Sequence, residues 1–349
     1  MACTRSSPTC PDRTGKRRSS GDPSRTFITS RLYIRRDSVN AEETALAIKS
    51  MQIRGAAEIA RKAAEALRDE ASRRTAGDLK AFQARMETAR KTLLASRPTA
   101  VSLWNGVHAV FKDTDTARSV EDLQKKLLDN ANDFIGRSKE AVGIIGQIGS
   151  RRLRHGDRVL THCNSKAALS VIIQAHREGK EMEVFATESR PWRQGLLTVK
   201  DLSEAGLKPT LIVDSAARWL MKDLDAVVVG ADTICSNGAL INKIGTSQIA
   251  LAAHEARVPF LVAAETFKFS PRSMYGELVE IEERDWSEVV KPGEVPEGTK
   301  VLNPVFDATP PEYIDAIITE IGVVPPSAAY EIIVRQLGHE FMFDKNSKW

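Results

Sequence analysis

The sequence predicts an α/β protein, with a helical N-terminal domain followed by a Rossmann-like, mostly parallel doubly wound sheet domain. Three observations predict it. From residue 40 to about 148, Ala, Glu, Lys, Arg and Leu recur at three- and four-residue spacing, the period of helices. Near Asp157 the period changes, and short β-branched or apolar runs alternate with helical stretches, the signature of a parallel sheet covered on both faces. Each of those runs hands over to a polar or ionisable residue, and in an open parallel sheet such strand ends line one crevice.

Over 40–150, the expected helical domain, the first helical run breaks at Gly55 and a second spans 76–95. A third, 119–147, carries Leu123, Leu127, Leu128, Phe134, Ile135, Val142 and Ile145 as its buried stripe. Over 151–349, the expected catalytic domain, strands are predicted at 158–162, 182–187, 210–213, 226–230 and 259–264. Helices are predicted at 167–178, 199–205, 216–222 and 246–256. The stretch NPVFDATPPEYIDAIITEIGVVPP reads as loop, strand and loop, folding back beside the sheet.

The 349 residues, 42% apolar, suffice for two domains with real cores. No apolar run approaches about eighteen residues, so neither a membrane span nor a membrane partner is expected. The formal charge is +4, yet 1–36 holds nine Lys and Arg against Asp12 and Asp22, a surplus of +7 that leaves −3 elsewhere. The basic balance belongs to a Ser-, Thr- and Pro-containing tail, for which disorder is expected over 1–39. That tail resembles an organellar transit peptide in composition but lacks amphipathic periodicity, so a solvated tail or an overlong gene start is expected. The mildly acidic body argues against a nucleic-acid partner. Cys3, Cys10, Cys163 and Cys235 form no CxxC pair, the usage of a reducing, cytoplasmic setting.

The polar residues behind the strands are Thr161, His162 and Cys163, then Glu188 and Arg190, Asp214 and Ser215, Asp232, and Glu265 with Lys268. A cysteine between strand and helix is more often a small buried hydrophobe. Cys163, in VLTHCNSKAAL, precedes a helix opening near Ser165, where free N–H groups, the helix dipole and Lys166 lower a thiol pKa and favour a thiolate that acts as nucleophile or base. Asp232, in VVVGADTI, is the acid partner, and Gly230 lets the backbone approach closely; a turn cap is its alternative reading. Burial in the crevice raises an acid's pKa and suits it to proton donation.

Candidate anion-binding groups surround this pair. They are Arg54, Gly55, Ala56 and Ala57 of IRGAA, which opens a helix; Arg97 of RPT; Arg190 and Gln194 of SRPWRQG; Asn242 and Lys243 of NGALINKIGT; and Lys268 of ETFKF. Together they imply a ligand with more than one negative group. No HExxH, P-loop, GxGxxG or metal-ligand spacing is present, so neither a metal nor a cofactor is expected.

In order, from about residue 41 to 340, RGA, RPTAVSL, THCNSKA, ESRPWRQG, DSAA, GADTI, NGALINKIGT, AAETFKF and NPVFDATPPEY resemble the archaeal-type ribose-1,5-bisphosphate isomerases. These share a superfamily with methylthioribose-1-phosphate isomerase and with the alpha, beta and delta regulatory subunits of the eukaryotic initiation factor that exchanges guanine nucleotide. The resemblance implies conversion of ribose 1,5-bisphosphate to ribulose 1,5-bisphosphate in AMP and nucleoside monophosphate degradation. It implies Cys163 as proton acceptor and Asp232 as proton donor. It also implies substrate contacts from Arg54, Gly55, Ala56, Arg97, Ser165, Lys166, Asn242, Lys243 and Lys268. A dimer-based homo-oligomer, up to a hexamer, is implied too, and a nucleotide activator is a candidate partner. Methylthioribose isomerases resemble THCNAG and NGDxANKIGT, where this chain has Ser165 and Lys166, and later Ala239 and Ile241. The added lysine fits a second phosphate. The two alternatives are methylthioribose-1-phosphate isomerase and a non-catalytic regulatory subunit, which generally lacks the Cys–Asp pair.

Overall fold

The helical period of the first hundred described residues resolves into α1 (Ala41–Lys49), α2 (Ala56–Ser72), α3 (Leu79–Ser96), α4 (Val101–Val110) and α5 (Val120–Gly149). The computed structural model describes residues 40–73, 78–275 and 281–337, so the tail of 1–39 lies outside the described residues. Three of these helices start where a short polar side chain accepts from a free N–H: Asn40 from Glu42, Asp78 from Ala81 and Ser119 from Asp122. α2 starts differently. Gly55 precedes it at φ +82°, a conformation that favours glycine, and supplies no side-chain cap, so the first N–H groups of a 17-residue helix stay available. α4 was not foreseen, because its ten residues, VSLWNGVHAV, are short and interrupted by Gly106 and so carry little period. Of the predicted α5 stripe, Leu123, Leu127, Phe134, Ile135 and Ile145 are buried, while Leu128 and Val142 are half-buried.

After α5 the strands and helices alternate: β1 (Arg158–Thr161), α6 (Lys166–Arg177), β2 (Glu183–Thr187), α7 (Gly195–Glu204), β3 (Thr210–Ile212), α8 (Ala217–Leu220) and β4 (Ala226–Val229). A hairpin of β5 (Thr233–Ile234) and β6 (Leu240–Lys243) follows, then α9 (Thr246–Ala256), β7 (Phe260–Ala263), β8 (Phe306–Thr309), β9 (Ala316–Thr319), β10 (Gly322–Val324) and α10 (Ala329–Leu337). The main sheet runs β10-β9-β7-β4-β1-β2-β3, parallel throughout except for the β9–β10 pair. Its central strands are buried on both faces, as AVVV and FLVA require. Val227 and Val229 face α8, α9 and α10 in one core, while Val228 joins Val159, Val171 and Ile145 in the other.

Two features depart from the expectation. β5, β6 and β8 make a separate antiparallel sheet, which alternation of parallel strands and helices did not suggest. The stretch read as loop, strand and loop also holds three strands, of which β9 and β10 extend the main sheet and β8 does not. α5 couples the layers, its first half lying in the helical core and its last turns on α6. A Cβ at Gly146 would meet the Ser170 carbonyl, and one at Gly149 the Val171 methyls, so the two helices touch through glycines. Among the described residues no helix is long and apolar enough to cross a membrane.

Candidate active site

The strand order reverses between β1 and β4, since the chain moves outward from β1 through β2 to β3 and then restarts at β4 toward β7 and β9. A parallel sheet opens a crevice at such a point, and the residues behind β1 and β4 are Cys163 and Asp232. A Cβ at Gly230 would collide with Ser165, the residue that caps α6 by accepting from the Ala168 N–H. Glycine there lets the β1–α6 turn rest directly against β4.

The β5–β6 hairpin completes the pair. The Asp232 N–H donates to the Ile241 carbonyl at 3.0 Å, which brings the end of β6 back beside Asp232. Lys243 thereby lies, 6% exposed, in the fields of Cys163 and Asp232, with its ammonium donating to the Val305 carbonyl at 3.1 Å and lying over the Phe306 ring. Burial lowers the Lys243 pKa, and the nearby thiolate form and carboxylate oppose that shift.

Cys163 corrects an electrostatic expectation. Its thiol is not lowered by the helix end: burial pushes it up to about 11, Lys243 acts downward, and Asp232 and Asp214 act upward. Two structural facts explain the difference. Cys163 stands in the left-handed region at φ 65°, two residues before the Ser165 cap. Lys166, the second expected cause, is exposed and donates to Asp201 at 2.9 Å instead.

The Cys163 backbone is held on two sides, its N–H donating to Ser189 Oγ at 2.8 Å and its carbonyl accepting from Thr198 Oγ1 at 2.6 Å. Behind it, fully buried His162 donates from Nε2 to the Ile244 carbonyl at 2.9 Å. That carbonyl can only accept, so Nδ1 carries no proton in the neutral ring and takes the Thr187 hydroxyl at 2.5 Å. Burial holds the His162 pKa below its usual value, which keeps the ring neutral. Asp214 accepts from the Ser189 and Arg190 N–H groups, tying the end of β3 to the turn that supports Cys163.

The phosphate candidates stand in different surroundings. Ala56 at the start of α2, Arg97 and Asp232 line one narrow cavity of ≈ 30 Å³, so the uncapped helix end and the acid share a space. Gly55 and Ala57 flank that helix end, and Arg54 stacks over Trp192 at 4.3 Å. Gln194 adds a buried amide oxygen with no hydrogen-bond partner among the described residues, an acceptor suited to a sugar hydroxyl. The others are engaged within the chain. Asn242 donates to Thr246 Oγ1 and buried Lys268 pairs with Glu265 at 2.8 Å, while Arg190 reaches the Val289 carbonyl and Ser165 caps α6.

Sequence reasoning missed Glu282 and Arg284. Glu282 pairs with Arg97 at 2.8 Å and with Arg284 at 2.7 Å, and the two arginines hold its carboxyl below the usual range despite burial. Neither lies directly behind a predicted strand, so the strand-end pattern that marked the other residues passed over them. A larger cavity of ≈ 1120 Å³, lined by Asn105, His108, Arg137 and Phe267 among others, contains neither Cys163 nor Asp232.

Comparison with known proteins follows from this geometry. The model of the Initiation factor 2 subunit family matches residues 52–326, which span the α2 end, Arg97, Cys163, Asp232, Lys243 and Arg284. This chain belongs to that family. Within the family it is 56% identical over 297 residues to a ribose 1,5-bisphosphate isomerase of Archaeoglobus fulgidus, covering 85% of this chain and 93% of that protein. Further archaeal relatives of the same description are 42–50% identical. A methylthioribose-1-phosphate isomerase of Thermosipho africanus is 38% identical over 313 residues, 86% of this chain and 90% of that protein. Among solved structures, the translation initiation factor eIF-2B delta subunit from A. fulgidus superposes with a TM-score of 0.68 at 35% identity, covering 85% of this chain and 91% of that one. The family thus holds both catalytic and initiation-factor descriptions on one fold.

Proposed function

We propose that this chain is an aldose–ketose isomerase that converts ribose 1,5-bisphosphate to ribulose 1,5-bisphosphate, serving nucleoside monophosphate degradation. The observation that carries the reading is the meeting of Cys163, Asp232 and Lys243 at the sheet's switch point, beside an uncapped helix end and Arg97. A proton acceptor, a proton donor and anion-binding groups are the parts such a reaction needs. The higher identity to relatives described as ribose 1,5-bisphosphate isomerases, 56% against 38% for a methylthioribose-1-phosphate isomerase, supports the bisphosphate as substrate.

In the proposed reaction Asp232 protonates the ring oxygen as its bond to C1 breaks, so that oxygen leaves as the C4 hydroxyl and the positive charge at C1 is shared with the phosphate ester oxygen. Cys163, as thiolate, then takes the proton from C2, whose electron pair forms the C1=C2 bond of an enediol-type phosphoenolate; a proton returned to C1 and the loss of the C2 hydroxyl proton give the ketone. The Lys243 charge favours the thiolate that this step consumes. Arg54, Gly55, Ala56, Ala57, Arg97, Ser165, Lys166, Arg190, Gln194, Asn242, Lys243 and Lys268 are the proposed substrate contacts.

Purified protein offered ribose 1,5-bisphosphate and methylthioribose 1-phosphate in parallel tests the reading. Ribulose 1,5-bisphosphate is the expected product, and turnover of the monophosphate alone overturns the substrate. Cys163→Ser and Asp232→Asn are each expected to lower kcat by roughly 10²- to 10⁴-fold with unchanged melting temperature, and a near-normal rate in either removes the assigned role.

A further inference from the structure

Glu282 lies between two guanidinium groups that no catalytic step above uses together. One carboxylate oxygen accepts from Arg97 Nη2 at 2.8 Å and the other from Arg284 Nε at 2.7 Å. Arg97 comes from the end of α3 and shares a cavity with Ala56 and Asp232, while Arg284 belongs to the strap before β8. Both arginines are mostly buried, with 16% and 12% of their side chains exposed. The strap backbone is fixed on each side of Glu282's carboxylate by hydrogen bonds from the Arg284 N–H to the Asn303 carbonyl and from the Val305 N–H to the Glu282 carbonyl. The Trp192 ring supports Arg284 at 5.8 Å and Arg54 at 4.3 Å.

We propose that Arg97 and Arg284 form a phosphate clamp, and that the Glu282 carboxylate occupies the position a substrate phosphate group takes by displacing it. The proposal rests on the sugar-bisphosphate reading and adds Arg284 as a binding residue and Glu282 as an internal competitor. Three features favour it over an ordinary ion pair. Arg97 and Arg284 both face Glu282, two guanidinium groups against one carboxylate, and Arg54 stacks on the same Trp192 ring as Arg284. The Arg284 guanidinium is held by the strap and by Trp192, so exchanging one anion for another leaves it in place. A phosphate offers three oxygens to the same donors where a carboxylate offers two. Lys243 feels both Arg284 and Glu282, which ties the clamp to the charge on Cys163 and Asp232.

The test uses the full chain and inorganic phosphate as probe. Phosphate is titrated calorimetrically into wild type, Glu282→Gln, Arg284→Gln and Arg284→Lys, and KM and kcat for ribose 1,5-bisphosphate are measured on the same proteins. Glu282→Gln is expected to bind phosphate at least about threefold more tightly. Arg284→Gln is expected to weaken phosphate binding and raise KM by about 10- to 100-fold while kcat changes less, with Arg284→Lys intermediate. Phosphate binding by Glu282→Gln no tighter than wild type overturns the competitor role. Values for Arg284→Gln within about twofold of wild type overturn the clamp. Should Arg284→Gln fail to fold, the Glu282→Gln titration decides alone. Absence of bisphosphate turnover by wild type overturns the functional reading instead, and the phosphate titrations still decide the clamp.

Discussion

At the scale of single residues, chemistry depends on whether burial or a neighbouring cation governs the Cys163 thiol. A cysteine before a helix invites a lowered pKa, yet here desolvation wins and the thiol is pushed up to about 11. Lys243 is the side chain that opposes this, so it acts on the thiol proposed as the base. Alkylation of Cys163 by iodoacetamide, followed by peptide mass spectrometry, is therefore expected to accelerate through about pH 11 rather than near 8.5. Lys243→Met is expected to move that inflection higher still. An inflection below 8.5 in the wild type contradicts the burial argument.

Elements set where these residues stand, and close backbone approach is the means. Gly230 brings β4 against the Ser165 cap, so Gly230→Ala forces the start of α6 away from the strand. The expected result is a loss of roughly 1–3 kcal/mol in chemical denaturation and a fall in activity, because Cys163 moves with the turn. Asp307 of β8 plays a comparable part for α9, accepting from the Gly245 and Ser247 N–H groups. Burial raises its pKa to about 6 against the N–H groups that act downward. An unfolded aspartate titrates near about 3.9, so between about pH 4 and 6 the folded chain holds the proton that the unfolded chain has released. This contribution to stability is thus greatest below about pH 4 and falls as pH rises to about 6, by on the order of 2 kcal/mol. Denaturation curves across that window should show the stability of wild type relative to Asp307→Asn falling as pH rises.

On the scale of the whole molecule, the site is shared between layers that have separate cores. Arg54, Arg97 and the α2 end come from the helices; Cys163, Asp232 and Lys243 come from the sheets. Asn105 of α4 links the two, donating to the Phe267 and Phe269 carbonyls at 2.7 and 2.9 Å in a buried setting. Asn105→Ala leaves both carbonyls unpaired and is expected to cost about 2 kcal/mol or more while raising the substrate KM, since the arginines lose their fixed place over the sheet. Unchanged KM with lowered stability would show that this link serves the fold alone.

Periodicity by itself determined the order of most helices and of the parallel strands up to β7, because 3.6- and 2-residue patterns follow directly from which faces are buried. It also marked Cys163 and Asp232, since strand ends of a parallel sheet collect at one edge whatever the details of packing. The three-stranded antiparallel sheet escaped it: β5 has only two residues, and Lys243 reaches Asp232 through a hairpin whose pairing is tertiary. Glu282 escaped for the same reason, lying 185 residues from Arg97 in sequence and 2.8 Å from it in space. The thiol's upward shift was likewise beyond the sequence, because desolvation depends on every atom packed around a group, and Lys166 turned to Asp201, a partner 35 residues away. Local pattern specifies which residues sit at the crevice; only the tertiary structure decides which charges face one another there, and electrostatics depends on that distance.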